Sequence, residues 1–168
     1  MRFAPAAAAL SLLVAVSASV GYSAPPSALD PRAAALLAQG RAEVAAGRAD
    51  DAIDAFEAAL AVQPGSVAVY LELANATRLQ GMQGKALHYY RQALARDPQN
   101  PLAIAGEGVA LVEKGALEKA RRNLARLEQL CGADCAPTRD LAAALAKGPA
   151  QRVVTAEQIK PQPVVTTN

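Results

Sequence analysis

Cys131 and Cys135 are the residues of this 168-residue sequence best suited to covalent chemistry. Only Gly132, Ala133 and Asp134 separate them, so in an oxidising compartment the pair can close as a disulfide that fixes the turn between two helices. A redox-active pair usually has two intervening residues and surroundings that stabilise a thiolate. A metal site would need two further ligands, and a chain that is not exported would keep free thiols. We predict the disulfide.

His88, the only histidine, is the remaining candidate for acid–base chemistry. It falls outside the apolar stripe of Ala86, Tyr90 and Ala93, and no acid or nucleophile is spaced to meet it. We therefore expect a solvated surface histidine, no catalytic residue, no metal site and no cofactor, so we predict that the protein is not an enzyme. The 17 basic and 15 acidic residues give a net charge of +2, too small for a nucleic-acid-binding surface.

Helices must position these side chains, because the composition disfavours a β-sheet. Hydrophobic residues make up 52% of the chain, but only 4% of it is aromatic and tryptophan is absent. A pleated core needs β-branched and aromatic side chains. Alanine, which is abundant here, has the highest helix propensity and lets helix axes approach closely. The sequence therefore predicts an all-α fold.

The first residues have the pattern of an export signal. Arg2 is followed by an uncharged apolar run over 6–20, which as a helix would rise about 22 Å, less than the roughly 30 Å of a bilayer's hydrocarbon layer. We predict a signal peptide at 1–24, with an uncleaved anchoring helix as the alternative, and a linker and the start of the first helix at 25–32. Frequent arginine and alanine are typical of a GC-rich bacterial genome, so export would lead to the periplasm.

A period of 34 residues organises the middle of the chain. Gly47, Gly81 and Gly115 recur at this spacing, each where the first helix of a unit must end. The second helices repeat a small and a bulky apolar residue four apart, and proline closes the first two units. These positions are Ala52, Phe56, Pro64, Ala86, Tyr90, Pro98, Ala120 and Leu124. The pattern predicts three helix–turn–helix units, at 33–66, 67–100 and 101–134.

This set of spacings resembles the tetratricopeptide repeat, whose units are also about 34 residues long. The resemblance covers 33–134 and implies a right-handed α-solenoid in which stacked neighbours bury the core. The sequence departs from the family pattern at Glu43 and Thr77, where an aromatic residue is usual. We predict that an amphipathic helix at 135–148 caps the solenoid and that 149–168 is disordered, with strand addition to a partner as the alternative.

The resemblance also implies where a partner binds, because the first helices of such units line a concave face that holds a peptide. On this sequence that face comprises Leu37, Arg41, Val44, Leu71, Asn75, Arg78, Leu102, Ala105, Val109 and Val112. Alternatively, the valines and Leu37 only widen the core between helices. Arg41 and Arg78 would orient an acidic or carboxylate-bearing segment on an apolar surface. The residues with which some family members clamp a C-terminal carboxylate are missing, since Glu72 and Gly106 stand at two of those positions.

Together these features predict a non-catalytic protein–protein interaction module, acting as an adaptor, scaffold or assembly factor in the bacterial periplasm. Its partner would be another protein or a peptide segment, apolar and with an acidic or carboxylate group. Nucleic acid is not expected, and the membrane would be met only by the signal peptide during export. The alternatives are a thiol–disulfide redox protein that uses Cys131 and Cys135, and a subunit of a secretion or cytochrome-maturation complex.

Overall fold

The computed structural model describes residues 29–149, and every regular element in that range is an α-helix. The helices are α1 (Pro31–Ala45), α2 (Ala49–Val62), α3 (Val67–Leu79), α4 (Gln83–Arg96), α5 (Pro101–Glu113), α6 (Leu117–Cys131) and α7 (Ala136–Lys147). The predicted all-α class is therefore confirmed. The predicted signal peptide at 1–24 lies outside the described residues, as do 25–28 of the predicted linker and 150–168 of the predicted tail.

Neighbouring helices pack in the order of a solenoid. The most extensive contacts join α1 to α2, α3 to α4 and α5 to α6, so each predicted unit is a helical hairpin. Contacts of α2 with α3 and of α4 with α5 stack the hairpins, and α1, α3, α5 and α7 lie side by side. The last helix, α7, packs on α5 and α6, within the segment predicted to cap the solenoid.

The first helix of each unit begins at a polar cap. Asp30, Ser66 and Asn100 precede α1, α3 and α5, and their side-chain oxygens accept hydrogen bonds from backbone N–H groups of the first turn. These bonds are 2.8 Å at Asp30, 3.4 Å at Ser66 and 3.0 Å at Asn100. Such caps satisfy donors that the helix itself cannot, which places the start of each unit.

The turn inside each unit depends on a glycine. Gly47, Gly81 and Gly115 have φ angles of 75°, 73° and 84°, a region that side-chain-bearing residues rarely adopt. Their N–H groups donate to carbonyl oxygens in the last turn of the preceding helix. The spacing of these three glycines therefore sets where each first helix ends and the second begins.

The core is built from small residues facing large ones. Ala52, Ala86 and Ala120 have no exposed surface, and the neighbouring Phe56 and Tyr90 are 0% and 4% exposed. A Cβ atom at Gly40 would overlap the ring of Phe56, and one at Gly106 would overlap the ring of Tyr90. The aromatic rings thus fill space that glycine leaves on the facing helix. Leu124 is half-buried against the same core.

Thr77 shows how one departure from the family pattern is accommodated. The residue is completely buried, and its hydroxyl lies 2.8 Å from the carbonyl oxygen of Leu73 and 3.0 Å from that of Ala74. A hydroxyl that donates back into its own helix needs no partner elsewhere. A polar residue therefore occupies this core position without an unsatisfied donor.

Candidate functional site

The first helices enclose a groove of 530 Å³ along the concave side. Its walls come from α1, α3, α5 and α7. The lining consists of Arg41, Ala68, Leu71, Glu72, Asn75, Arg78, Tyr90, Leu102, Ala105, Gly106, Val109, Pro137 and Asp140. Most of the residues that the sequence assigned to a groove are brought together here, namely Arg41, Leu71, Asn75, Arg78, Leu102, Ala105 and Val109.

Three predicted groove residues do not line the groove. Leu37 is 5% exposed and Val112 is 2% exposed, and each packs within a cluster of buried side chains. Val44 is half-buried and packs against the same cluster as Leu37. Leu37 and Val112 therefore lie in the core between helices, as the alternative interpretation of the sequence has it, and Val44 packs beside that core without lining the groove.

Tyr90 and Gly106 form part of the groove floor, which the sequence reasoning missed. The absence of a side chain at Gly106 lets the Tyr90 ring pass between α4 and the concave surface. Burial raises the pKa of the Tyr90 hydroxyl, and the nearby Arg78 guanidinium opposes that shift. Tyr90 is therefore a neutral hydroxyl beneath the groove at ordinary pH. Its recurrence one period after Phe56 identified it as a core residue only.

Arg41 is tied to the next repeat by an ion pair. Its Nε donates to Oε1 of Glu72 over 2.7 Å, and the two side chains are 56% and 27% exposed. The Nη1 and Nη2 groups make no hydrogen bond within residues 29–149, so one edge of the guanidinium faces solvent. An exposed pair of this kind contributes at most about 1 kcal/mol, so a carboxylate on a partner can compete for the arginine.

Arg78 is held more firmly. Its Nη1 donates to Oε1 of Glu113 over 2.5 Å, and its Nη2 donates to Oδ1 of Asn75 over 3.0 Å. The charged side chains are only 20% and 29% exposed. The other carboxylate oxygen of Glu113 is buried and has no hydrogen-bond partner within residues 29–149. Because removing one partner of such a pair leaves a poorly solvated charge, Arg78 has a structural role as well as a place in the groove.

Asp140 brings a charge from the capping helix into the groove. The side chain is exposed and lines the groove near Pro137, at the end formed by α5 and α7. Arg41, Arg78 and Glu72 all have ion-pair partners, but Asp140 has none within residues 29–149. The sequence analysis did not assign this residue to the groove. Its position two 34-residue periods after Glu72 was the signal that could have placed it in the groove.

A second depression of 740 Å³ lies at the turn end of the same helices. It shares Arg78 with the groove, and its walls include Leu79, Lys114 and two of the turn glycines. Leu79 is 60% exposed and provides most of its large apolar surface. Both depressions carry charged side chains, but the groove also presents Leu71, Leu102 and Val109, so we take the groove as the candidate site.

The two cysteines lie at the junction of α6 and α7. Their sulfur atoms are 1.98 Å apart, and their Cα atoms are 5.9 Å apart. Thr138 is 2% exposed, and its hydroxyl oxygen lies 2.9 Å from the sulfur of Cys135. Cys135 directly precedes the first residue of α7. The pair therefore sits next to Pro137, at the edge of the groove.

His88 lies on the surface, as the sequence predicts. Its ring packs against the Tyr89 ring in a T-shaped arrangement, with the centroids 5.4 Å apart. Within residues 29–149 no three acidic, histidine or cysteine side chains are grouped closely enough to hold a metal ion. None of the helices in that range is long and apolar enough to cross a membrane.

The repeat architecture matches a known protein family. Two family models, each described as a tetratricopeptide repeat, match residues 37–101 and 78–130. No curated protein sequence matches the chain.

Solved structures with the same fold share little sequence with the chain. The Sgt2 TPR domain from Aspergillus fumigatus has a TM-score of 0.65 and 22% identity, over 84% of this chain and 91% of that domain. The first TPR of Spaghetti (RPAP3), bound to the HSP90 peptide SRMEEVD, has a TM-score of 0.61 and 22% identity, over 68% of this chain and 94% of its own. The second TPR domain of human RPAP3, in complex with the HSP70 peptide SGPTIEEVD, has a TM-score of 0.62 and 19% identity, over 69% and 93%. With the matching family models and the 34-residue hairpins, these likenesses lead to one conclusion: the chain belongs to the tetratricopeptide repeat family.

Proposed function

We propose that this protein is a non-catalytic interaction module that binds a segment of another protein in the concave groove. The observation that carries the proposal is the groove itself, which presents the exposed Leu102 beside Leu71 and Val109, with charged side chains at both ends. Apolar surface supplies area for a peptide, and the charges orient it. Similar folds that hold peptides ending in EEVD support this use of the concave side.

We propose that the partner segment carries an acidic group for Arg41. The outward edge of that guanidinium is available, whereas Arg78 is already occupied by Glu113 and Asn75. The residues of the carboxylate clamp are missing, so an acidic side chain within a segment fits the groove as well as a free C-terminus does. An adaptor, scaffold or assembly factor would use the groove in this way.

A pair of exposed leucines allows a matched test of the groove. Leu102 lies in the groove and is 62% exposed, and Leu79 lies at the turn end and is 60% exposed. A photo-crosslinking amino acid is placed at either position in the full chain, which is expressed in its native host. We expect Leu102 to capture one discrete partner segment, identified by mass spectrometry, and Leu79 to capture it weakly. Equal capture at both positions would contradict binding in the groove.

The periplasmic location is part of this proposal and has its own test. If 1–24 is a signal peptide, protein isolated from the envelope should begin between residues 19 and 25. N-terminal sequencing measures this directly. Intact Met1 on most of the soluble envelope protein would refute export by cleavage.

A thiol–disulfide redox activity is the second candidate function. The observation that favours it is the position of Cys135 at the start of α7, because the positive end of a helix stabilises a thiolate. A role in a secretion or cytochrome-maturation complex would be compatible with either activity. Reduction of insulin by the purified protein separates the candidates. Turnover that Cys135→Ser abolishes would favour the redox protein, and no turnover would favour the interaction module.

A further inference from the structure

Asp140 repeats the acidic position of Glu72 in the groove, but no arginine of residues 29–149 pairs with it as Arg41 pairs with Glu72. It stands two 34-residue periods after Glu72, so α7 presents it where α3 presents Glu72. Glu72 pairs with Arg41, which precedes it by 31 residues. The residue 31 positions before Asp140 is Val109, which also lines the groove. The chain thus supplies an acid at this end of the groove and an apolar side chain where its cation would stand.

We propose that the partner supplies this cation. The segment bound in the groove carries a basic side chain that pairs with Asp140, in addition to the acidic group that meets Arg41. This inference rests on the proposed function and adds a second recognition element to it, on the capping helix rather than on a repeat.

The charges on the concave side support this assignment. The pairs Arg41–Glu72 and Arg78–Glu113 are each neutral, so among the described residues that line the groove Asp140 is the charge without an ion-pair partner. A segment with acidic groups alone would bring a like charge to the end formed by α7. A segment with one acid and one base matches the charge at both ends, which is how electrostatic complementarity selects a partner.

The order of the helices sets the distance between the two charges. Arg41 lies on α1 and Asp140 on α7, at opposite ends of the series α1, α3, α5 and α7. Adjacent packed helices are about 8–10 Å apart, so the charges are separated by at most about 30 Å along the surface. An extended chain covers this in at most about nine residues. Leu71, Leu102 and Val109 lie between the two ends and would contact the apolar side chains of the segment.

The test uses three synthetic peptides with one common apolar centre and the full chain. One peptide has Asp and Lys about seven residues apart, the second has Gln in place of Lys, and the third has Glu in place of Lys. Affinities are measured by NMR titration at up to millimolar peptide. With the wild-type chain, we expect the Gln peptide to bind about two- to fivefold more weakly than the Lys peptide, and the Glu peptide to bind still more weakly.

Charge reversal on the protein isolates the contact. In Asp140→Lys the preference should invert, so that the Glu peptide binds more tightly than the Lys peptide. The matched control is Asp54→Lys, an equal charge change at an exposed position of α2 that does not line the groove. The control should keep the wild-type preference. Circular dichroism verifies that both variants fold.

The outcomes separate this inference from the proposed function. Binding in the groove with equal affinity for the Lys and Gln peptides would overturn the assignment of Asp140 and leave the groove as a binding site. An inversion produced equally by Asp54→Lys would also overturn it, since the attraction would then be a long-range effect of net charge. No shift of groove resonances with any peptide would overturn the proposed function and this inference together.

Discussion

The contact between Gly108 and Leu141 provides a quantitative test of how the capping helix is attached. Leu141 lies on α7, has no exposed surface, and packs its δ-carbons into the space that Gly108 leaves on α5. A Cβ at Gly108 would lie 2.5 Å from Cδ2 and 2.7 Å from Cδ1 of Leu141. The two residues must therefore be strongly coupled. A double-mutant cycle measures that coupling.

The magnitudes follow from the volumes that are removed and added. Leu141→Ala removes three carbon atoms from a fully buried site and leaves a cavity, so we expect it to cost about 3 kcal/mol. Gly108→Ala overpacks the same site but raises helix propensity, so its net cost should be about 1 kcal/mol. In the double variant the new methyl group occupies part of the cavity. We therefore expect a total cost of about 2 kcal/mol, roughly half of the additive value.

Urea unfolding monitored by helical circular dichroism gives the four free energies of unfolding. Leu141→Ala, the most destabilised variant, should melt about 10–15 °C below wild type. Because α7 contacts only α5 and α6 within the described residues, hydrogen exchange should show the loss first in α7. Costs that add to within about 0.5 kcal/mol would refute the packing of Leu141 on Gly108.

Three further predictions concern the core, a tyrosine and the cysteines. Ala86→Arg buries a charge where no surface is exposed and should lower the free energy of unfolding by more than ~3 kcal/mol. His88→Ala changes an exposed residue and should lower it by less than ~0.5 kcal/mol. Similar melting temperatures of the two variants would contradict the repeat register. Burial raises the pKa of Tyr90, so its contribution to stability is complete below pH 10 and is lost as the pH rises through the raised pKa. The melting temperature of wild type should therefore fall more steeply above pH 10 than that of Tyr90→Phe. If Cys131 and Cys135 form a disulfide, replacing both with serine should lower the free energy of unfolding by ~2 kcal/mol, and reduced wild type should match the variant.

The helices and turns were predictable because single residues determine them locally. A side-chain acceptor at Asn100 satisfies the first turn of α5 regardless of what packs beside it. A positive φ at Gly115 likewise ends that helix through backbone geometry alone. The turn glycine recurs every 34 residues and the cap every 34 to 36, so the architecture could be inferred without any knowledge of side-chain contacts.

The faces of the first helices were harder to assign, because both sides are apolar. In α5, Val109 lines the groove while Val112 is 2% exposed in the core, and nothing in their chemistry distinguishes them. Neighbouring helices cover α5 on several sides, so its apolar stripe is too broad to show which edge meets solvent.

The two ion pairs on the concave side follow a rule that the repeat itself supplies. Side chains in a solenoid meet those of the adjacent unit, so their partners are close to one period away in sequence. Arg41 and Glu72 are 31 residues apart, and Arg78 and Glu113 are 35 apart. A search for opposite charges about 34 residues apart would have found both pairs, and it would have shown that the guanidiniums assigned to a ligand are shared with carboxylates of the chain. Recognition in this groove is therefore a competition between a partner's charges and those of the next repeat, and it is weakest where the pairing is tightest, at Arg78.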